Sequence, residues 1–535
     1  MTRATEAKKK RELRGAPADV AAKLLDEDRK SEVLELVAAL AARNTDLEKM
    51  IASMRAAKNR GEHVSVEQLE IFLEKVRGEQ HADLATANSA LENVADEHAG
   101  RPDELKPPKQ PAVRKPPPAA LRRIANPIAV PAAERACPVC GAERRCVLHE
   151  TTEVIELIPA EVVVRLDCRE ILACDKCDGE MVRAPMGDKV VEGGAYGSRL
   201  VADLVVNKYA NGLPLYRIGE MLERLGLSMP SSSMADQITW ATDLLRPLWR
   251  ALIAKMISAV VMHVDGTSLP VRDKETGQQV VLGSLWGYVA DGVYAMYLYT
   301  STAKKAAQRP GEIGPEDLLR HRTGYVVADA AQIFDQSFKR PDLIEIGCNM
   351  HARRYFVKAL DAGDARAAVP IKAFQALYDV EETIADREAA ARLSARQARS
   401  RPVYEELVRW CETHRPLEPP SSLLGAAIRY LLNHRIALMR FLDDSVVPID
   451  NGIVERLHRR PAIGRRNYLF AGSHAGGERA AIAYSILGTC KLTEVNPLDY
   501  LADVLPRLAR EGVALGQVDE LLPDAWKRAR AAASK

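Results

Sequence analysis

No uninterrupted apolar run approaches the roughly 18 residues that a membrane-spanning helix requires. The basic N-terminus also lacks the apolar core of a secretion signal, so the expectation is a soluble, cytoplasmic protein. An excess of one charge is missing too. Lys and Arg number 75 against 73 Asp and Glu, a formal net charge of +2, so any affinity for a polyanion must rest on local clusters. Nor are disulfides the framework of a chain this long. Nine cysteines are spread over 535 residues, and the two C-x-x-C pairs among them suit metal binding in a reducing compartment better than cross-linking. A chain of this length divides into several domains, each with material for a core.

What is present falls into blocks. Residues 1–99 read as a helical region behind a basic tail that carries Lys8, Lys9, Lys10, Arg11 and Arg14. Val33, Leu40, Leu47 and Met54 recur every seven residues, the seam of a short coiled coil, and a second helix is predicted from the capping box of Ser65 and Gln68. Self-association through this seam and a helical hairpin packed on its own chain both fit the pattern. Residues 100–131 form a linker in which Pro102, Pro107, Pro108, Pro111 and Pro116 to Pro118 alternate with lysines and arginines. Proline fixes φ and lacks an amide donor, so no regular element is expected there.

Residues 132–184 carry CPVCG at Cys137 and Cys140 and CDKCDG at Cys174 and Cys177. Each knuckle presents two thiolates to one tetrahedral Zn²⁺, with strand-like runs at Val154 to Ile158 and Val162 to Leu172 between them, the layout of a zinc ribbon with a structural ion. Cys146, His149 and Cys168 are competing ligands without a second knuckle. Residues 185–252 read as helices, with a break at Gly226 and Ser231 or Ser232 capping the next helix. That spacing suits a helix-turn-helix or a plain packed hairpin.

Residues 253–480 read as an α/β domain, with strands at Leu285 to Val289, Val293 to Tyr299, Tyr325 to Ala328 and Leu343 to Cys348, and helices alternating with the later strands. A helical insertion is expected at about 365–445, and residues 481–535 form a helical cap. Asp265 follows the apolar run Val260, Val261 and Val264 and precedes Gly266, which reads as a buried strand ending in a turn. Asp329 repeats the setting after Tyr325, Val326, Val327 and Ala328. Glu455 lies in a helix that starts at the capping residues Asp450 and Asn451. Three acids at the ends of apolar elements suit hard divalent cations, Mg²⁺ or Mn²⁺, and two such ions activate an oxygen nucleophile and stabilise the leaving oxygen of a phosphodiester. Arg456, Arg459, Arg460, Arg465 and Arg466 follow Glu455, and Arg353 and Arg354 open a helix behind His351, so phosphates are expected beside the acids. Glu478, behind Gly472, Gly476 and Gly477, is the second choice for the third acid; those glycines would let amides approach phosphate at a helix start.

The segments DNGIVERLHRRPAIGRRNYLFAGSHAGGERAAIAYSILGTCKL and CNMHARRYF resemble the Insertion Sequence 66 family of DDE transposases, and the resemblance extends more weakly from about Cys137 to Leu508. It implies an RNase H-like fold, with Asp265, Asp329 and Glu455 at the positions of the family's catalytic acids and a zinc-binding segment near the cysteine knuckles. The implied activity is metal-dependent cleavage at insertion-sequence ends and transfer of the 3′-hydroxyl into target DNA. The implied partners are double-stranded DNA, as terminal inverted repeats and target, and small accessory proteins of the same element; holding two ends together calls for a homo-oligomer on DNA, at the nucleoid. Two places depart from the family pattern: Gly266 stands where members carry an acid, and the pair Ala330-Ala331 where they carry Gly-Tyr. The alternative these departures allow is a zinc-containing DNA-binding regulator of transposition whose catalytic domain has decayed.

Overall fold

The computed structural model describes residues 160–172 and 194–533, apart from 274–279, 304–307, 420 and 512–516, together with a few positions between 124 and 191. The expected coiled-coil seam, the proline linker and the ligands Cys137, Cys140, Cys174 and Cys177 lie outside the described residues. Strand β1 (Ile171–Leu172) pairs antiparallel with β2 (Val182–Arg183), and the second cysteine knuckle falls between them in sequence. The strand expected over Val162 to Leu172 shrinks to those two residues. Val163, Val164 and Leu166 are exposed and have no ladder partner among the described residues.

Four helices follow: α1 (Ser198–Val205), α2 (Leu215–Arg224), α3 (Ser231–Leu244) and α4 (Arg246–Ser258). Gly226 breaks the chain between α2 and α3 as expected, at φ +87°. The cap of α3 differs from expectation: Pro230, extended, occupies it, and neither Ser231 nor Ser232 makes a side-chain cap bond. Ile218 and Leu222 of α2 and Met234, Ile238 and Ala241 of α3 are buried in the main core, so the packed-hairpin reading accounts for their apolar faces.

Next come β3 (Val261–Val271), β4 (Val281–Ala290) and β5 (Tyr294–Thr300), then the short α5 (Pro315–Leu319), β6 (Gly324–Ala328) and β7 (Leu343–Gly347). They form one mixed sheet in the order β5-β4-β3-β6-β7. The first three strands are antiparallel neighbours, and β6 and β7 run parallel to β3. Asp291 and Gly292, both at positive φ, supply the tight β4–β5 turn, the dipeptide that such a hairpin favours. Between β6 and β7 stand two 3₁₀ turns, Gln332–Phe334 and Ser337–Lys339, where the alternation predicted a helix.

Beyond β7 the chain continues through α6 (Asn349–Asp361), α7 (Ala368–Ile384), α8 (Ala389–Ala395), α9 (Arg401–His414) and α10 (Leu423–Met439). Helices α7 to α10 fill the stretch expected as a helical insertion, yet together with α6 they own a second core. Phe356, Phe374, Leu377, Trp410 and Leu431 pack with Val261, Val327 and Ile346 of the sheet, so the helices are fused to one sheet face. The chain ends with α11 (Gly452–Leu457), α12 (Arg459–Tyr468), α13 (His474–Leu492), α14 (Pro497–Glu511) and α15 (Pro523–Ala533). Helix α13 starts at His474 rather than near Glu478, because the Ser473 side chain accepts from the Gly476 amide. It covers the edge strand β5. Ser485 Oγ accepts from the Tyr297 amide at 2.7 Å and Thr489 Oγ1 from the Ala295 amide at 3.0 Å, so the unpaired edge is satisfied by side chains. Among the described residues no helix is long and apolar enough to cross a membrane.

Candidate active site

Strand register brings the two aspartates together. The parallel pairing of β3 and β6 runs from Val261 with Tyr325 to His263 with Val327. Asp265 and Asp329 therefore lie two residues beyond the last pair on neighbouring strands, whose spacing is about 4.8 Å. Strand β6 ends at Ala328, so Asp329 sits where the sequence placed it. Its carboxylate accepts from the Ala331 amide at 3.2 Å, closing a small turn that forces Ala330 to φ +58°. Asp265 does not end its strand. β3 continues to Val271 against β4, and Gly266 is a strand residue opposite Trp286. A Cβ at Gly266 would come 2.7 Å from the Trp286 ring, so the glycine is a slot for the indole and not a turn.

Glu455 reaches the same face from α11, and Asn451 sets that helix in place. Asn451 occupies the expected N-cap position, but its side chain makes no cap bond. Instead Nδ2 donates to the Val264 carbonyl at 2.7 Å, and Oδ1 lies 3.0 Å from His263 Nδ1. With Nδ2 committed as a donor, Oδ1 accepts from His263, which burial keeps neutral by pushing its imidazole down to about 4. The Asn451 amide in turn donates to Cys348 Sγ at the start of α6. Asp450 Oδ1 accepts from the Gly452 amide at 2.8 Å and its Oδ2 from Tyr378. The dipeptide Asp450-Asn451 thus ties α11 to β3, α6 and α7.

Around the acids stand three polar partners. Arg354 Nη2 donates to Glu455 Oε2 at 3.0 Å, and His351 Nδ1 lies 3.5 Å from Glu455 Oε1. His458 Nε2 sits 3.2 Å from the Asp265 carbonyl and 3.5 Å from its carboxylate. A carbonyl only accepts, so Nε2 carries the proton; burial pushes this ring also down to about 4. Gly287, paired with Asp265 across the sheet, leaves room for the ring: a Cβ there would meet His458 Cε1 at 2.6 Å. Asp265 itself is held up at about 7, first by burial and then by repulsion from Asp329 and Glu455. The charges of Asp329 and Glu455 therefore both reach the Asp265 carboxyl. Glu455 Oε1 is moreover a buried oxygen without a hydrogen-bond partner. Clustered carboxylates, one with an orphaned oxygen, are a donor set that fits hard divalent cations.

The arginines divide. Arg354, Arg456, Arg459 and Arg466 are exposed, and Arg353 is half-buried. Arg460 and Arg465 turn inward. Arg460 donates to the Leu487 carbonyl at 3.0 Å, and Arg465 to the Ser268 carbonyl at 2.6 Å and Thr267 Oγ1 at 2.9 Å. Glu478 is exposed on α13, where its charge acts on Tyr299. Of the glycines before it, Gly477 serves packing, since a Cβ there would come 2.7 Å from the Tyr299 ring, whereas a Cβ at Gly472 would meet nothing within 4 Å. Sequence reasoning missed Gly287, His263, the bridging role of Asn451 and the contact of His458 with Asp265. The spacing of Glu455 and His458, one helical turn apart, is the signal that points to His458.

Compared with known proteins, residues 193–479 match the Transposase IS66 family and residues 485–523 match the IS66 C-terminal element. The chain is 29% identical over 510 residues to the uncharacterized protein y4hP of Sinorhizobium fredii, covering 91% of this chain and 89% of that one. It is also 29% identical over 402 residues to the uncharacterized protein y4jD of the same organism, covering 74% of this chain and 78% of that one.

Proposed function

The chain belongs to the IS66 family of transposases, and from that premise we propose that it cleaves DNA at the ends of an insertion sequence and joins the freed 3′-hydroxyl to target DNA. The observation that carries the reading is the β3–β6 register, which sets Asp265 beside Asp329 on the face that Glu455 reaches. The sheet order, three antiparallel strands followed by two parallel ones, supports an RNase H-like fold.

In this reading Asp265, Asp329 and Glu455 hold two Mg²⁺ or Mn²⁺ ions, which when bound supply nucleophile activation and stabilisation of the leaving oxygen. The protein's own residues do the positioning. His458 pins the Asp265 backbone, Asn451 fixes the start of the Glu455 helix, and Arg354 and His351 hold the Glu455 side chain against the repulsion of its neighbours. The exposed arginines Arg456, Arg459 and Arg466, with Arg353 and Arg354, meet the phosphates of double-stranded DNA, while Arg460 and Arg465 shape the wall behind them. Cys137, Cys140, Cys174 and Cys177 hold a structural Zn²⁺, and the chain works as a homo-oligomer on paired ends with accessory proteins of its element. Both departures that favoured a decayed regulator have a structural account: Gly266 houses Trp286, and Ala330 lies within a turn that still presents Asp329.

The test is an assay on duplexes carrying the element's terminal repeats, with a target duplex as acceptor. Joined product in Mg²⁺ and none in chelator is expected. Nicking without joining would reduce the protein to a nuclease, and DNA binding without either would restore the regulator.

A further inference from the structure

Behind the acids lies a second group of ligand atoms. Cys348 Sγ, His351 Nδ1 and Glu455 Oε1 lie within 4.8 Å of one another. Cys348 is the N-cap of α6 and His351 stands one turn on, so a C-x-x-H spacing presents thiol and imidazole on one side of the helix start. Glu455 faces them from α11. Two of the three atoms, His351 Nδ1 and Glu455 Oε1, are buried and face each other at 3.5 Å, and neither has a hydrogen-bond partner. Buried polar atoms are nearly always paired, so two facing orphans mark a place built for something between them.

The donors choose the occupant. Sulfur and imidazole nitrogen favour borderline cations such as Zn²⁺, whereas Mg²⁺ takes oxygen ligands in a strict octahedron. A bound cation of that class deprotonates a coordinating thiol outright, and three protein ligands leave a fourth position for water. Glu455 cannot serve both sites with full strength.

We propose that Cys348, His351 and Glu455 form a Zn²⁺ site that draws Glu455 away from the two aspartates and holds the protein inactive. Occupancy of the site needs nothing beyond these three side chains; its inhibitory effect rests on Glu455 being a catalytic ligand.

The experiment uses the full-length protein, its structural zinc retained, equilibrated with ZnCl₂ and counted for bound zinc by elemental analysis. Wild type should bind one equivalent more than Cys348→Ser and one more than His351→Gln. His351→Gln, at the solvent edge, carries the comparison if the buried serine disturbs folding. Each protein's Mg²⁺-dependent cleavage is then measured against its own rate without added zinc, and sensitivity to zinc should fall about tenfold or more in both variants. Equal zinc counts in all three proteins overturn the site. Equal zinc sensitivity with unequal counts overturns the inhibition. An extra equivalent in a protein that never cleaves DNA upholds the site and overturns the transposase reading instead.

Discussion

At Ala330 the backbone sits at φ +58°, a region an L-residue with a Cβ enters at a cost of about 1–2 kcal/mol. The family's glycine at this position is the residue the turn after Asp329 favours. Ala330→Gly should therefore raise stability by about 1 kcal/mol or less, since glycine's looser unfolded chain offsets part of the gain; urea denaturation reads the difference, and a loss of stability would contradict it. Gly287→Ala should do the opposite, pressing a methyl into His458 and costing about 1–3 kcal/mol. Asp265 adds a pH dependence. Its carboxyl titrates at about 7 in the fold against the ordinary 3.8, so ionising it works against the folded state. The penalty is absent below about pH 4, grows between the two values and is complete above about pH 7. In chelator, Asp265→Asn should melt above wild type at about pH 8 and match it at about pH 4. The acids were legible as residues because each follows an apolar run. Gly266 was misread and Gly287 missed, since what fills their space, Trp286 and His458, comes from another strand or helix.

At the scale of elements, the buried guanidinium of Arg322 explains how α4, β3 and β6 are locked. Its Nη atoms donate to the carbonyls of Met256, Ile257 and Ala259 at the end of α4, of Val260 before β3, and of Tyr325 in β6. The guanidinium thus caps a helix end and fixes the offset of the two strands that carry the aspartates. Arg322→Met leaves them unpaired in the interior and should cost about 3 kcal/mol or more. Thermal melting checks this, and a cost under about 1 kcal/mol would show that water replaces the guanidinium. Strands β4 to β7 were legible from β-branched and aromatic runs bounded by turn residues. The parallel register of β3 with β6 was not, because the paired residues are some sixty positions apart and Arg322 gives no periodic signal. The crossover from β6 to β7 was overcalled as a helix; Arg340 there donates to the carbonyls of Leu319, Arg320 and Arg322, so side-chain bonds hold the loop.

At the scale of the molecule, two cores share one sheet: the main core packs Met262 and Val264 of β3, the second Val261. The long stretch between Asp329 and Glu455 reads as polar in sequence because its helices show charged outer faces. Its apolar residues at helical spacing build the core that carries Glu455 back to the sheet. The central claim is that Asp265, Asp329 and Glu455 work as one cation-dependent site. The most direct measurement is Mg²⁺-dependent joining by Asp265→Asn, Asp329→Asn, Glu455→Gln and, as control, Glu478→Gln, each with its DNA affinity. The account predicts joining lowered by about a thousandfold or more in the first three with DNA binding kept, and near wild-type joining in the fourth. Wild-type joining by any of the first three, or its loss in Glu478→Gln alone, would contradict it.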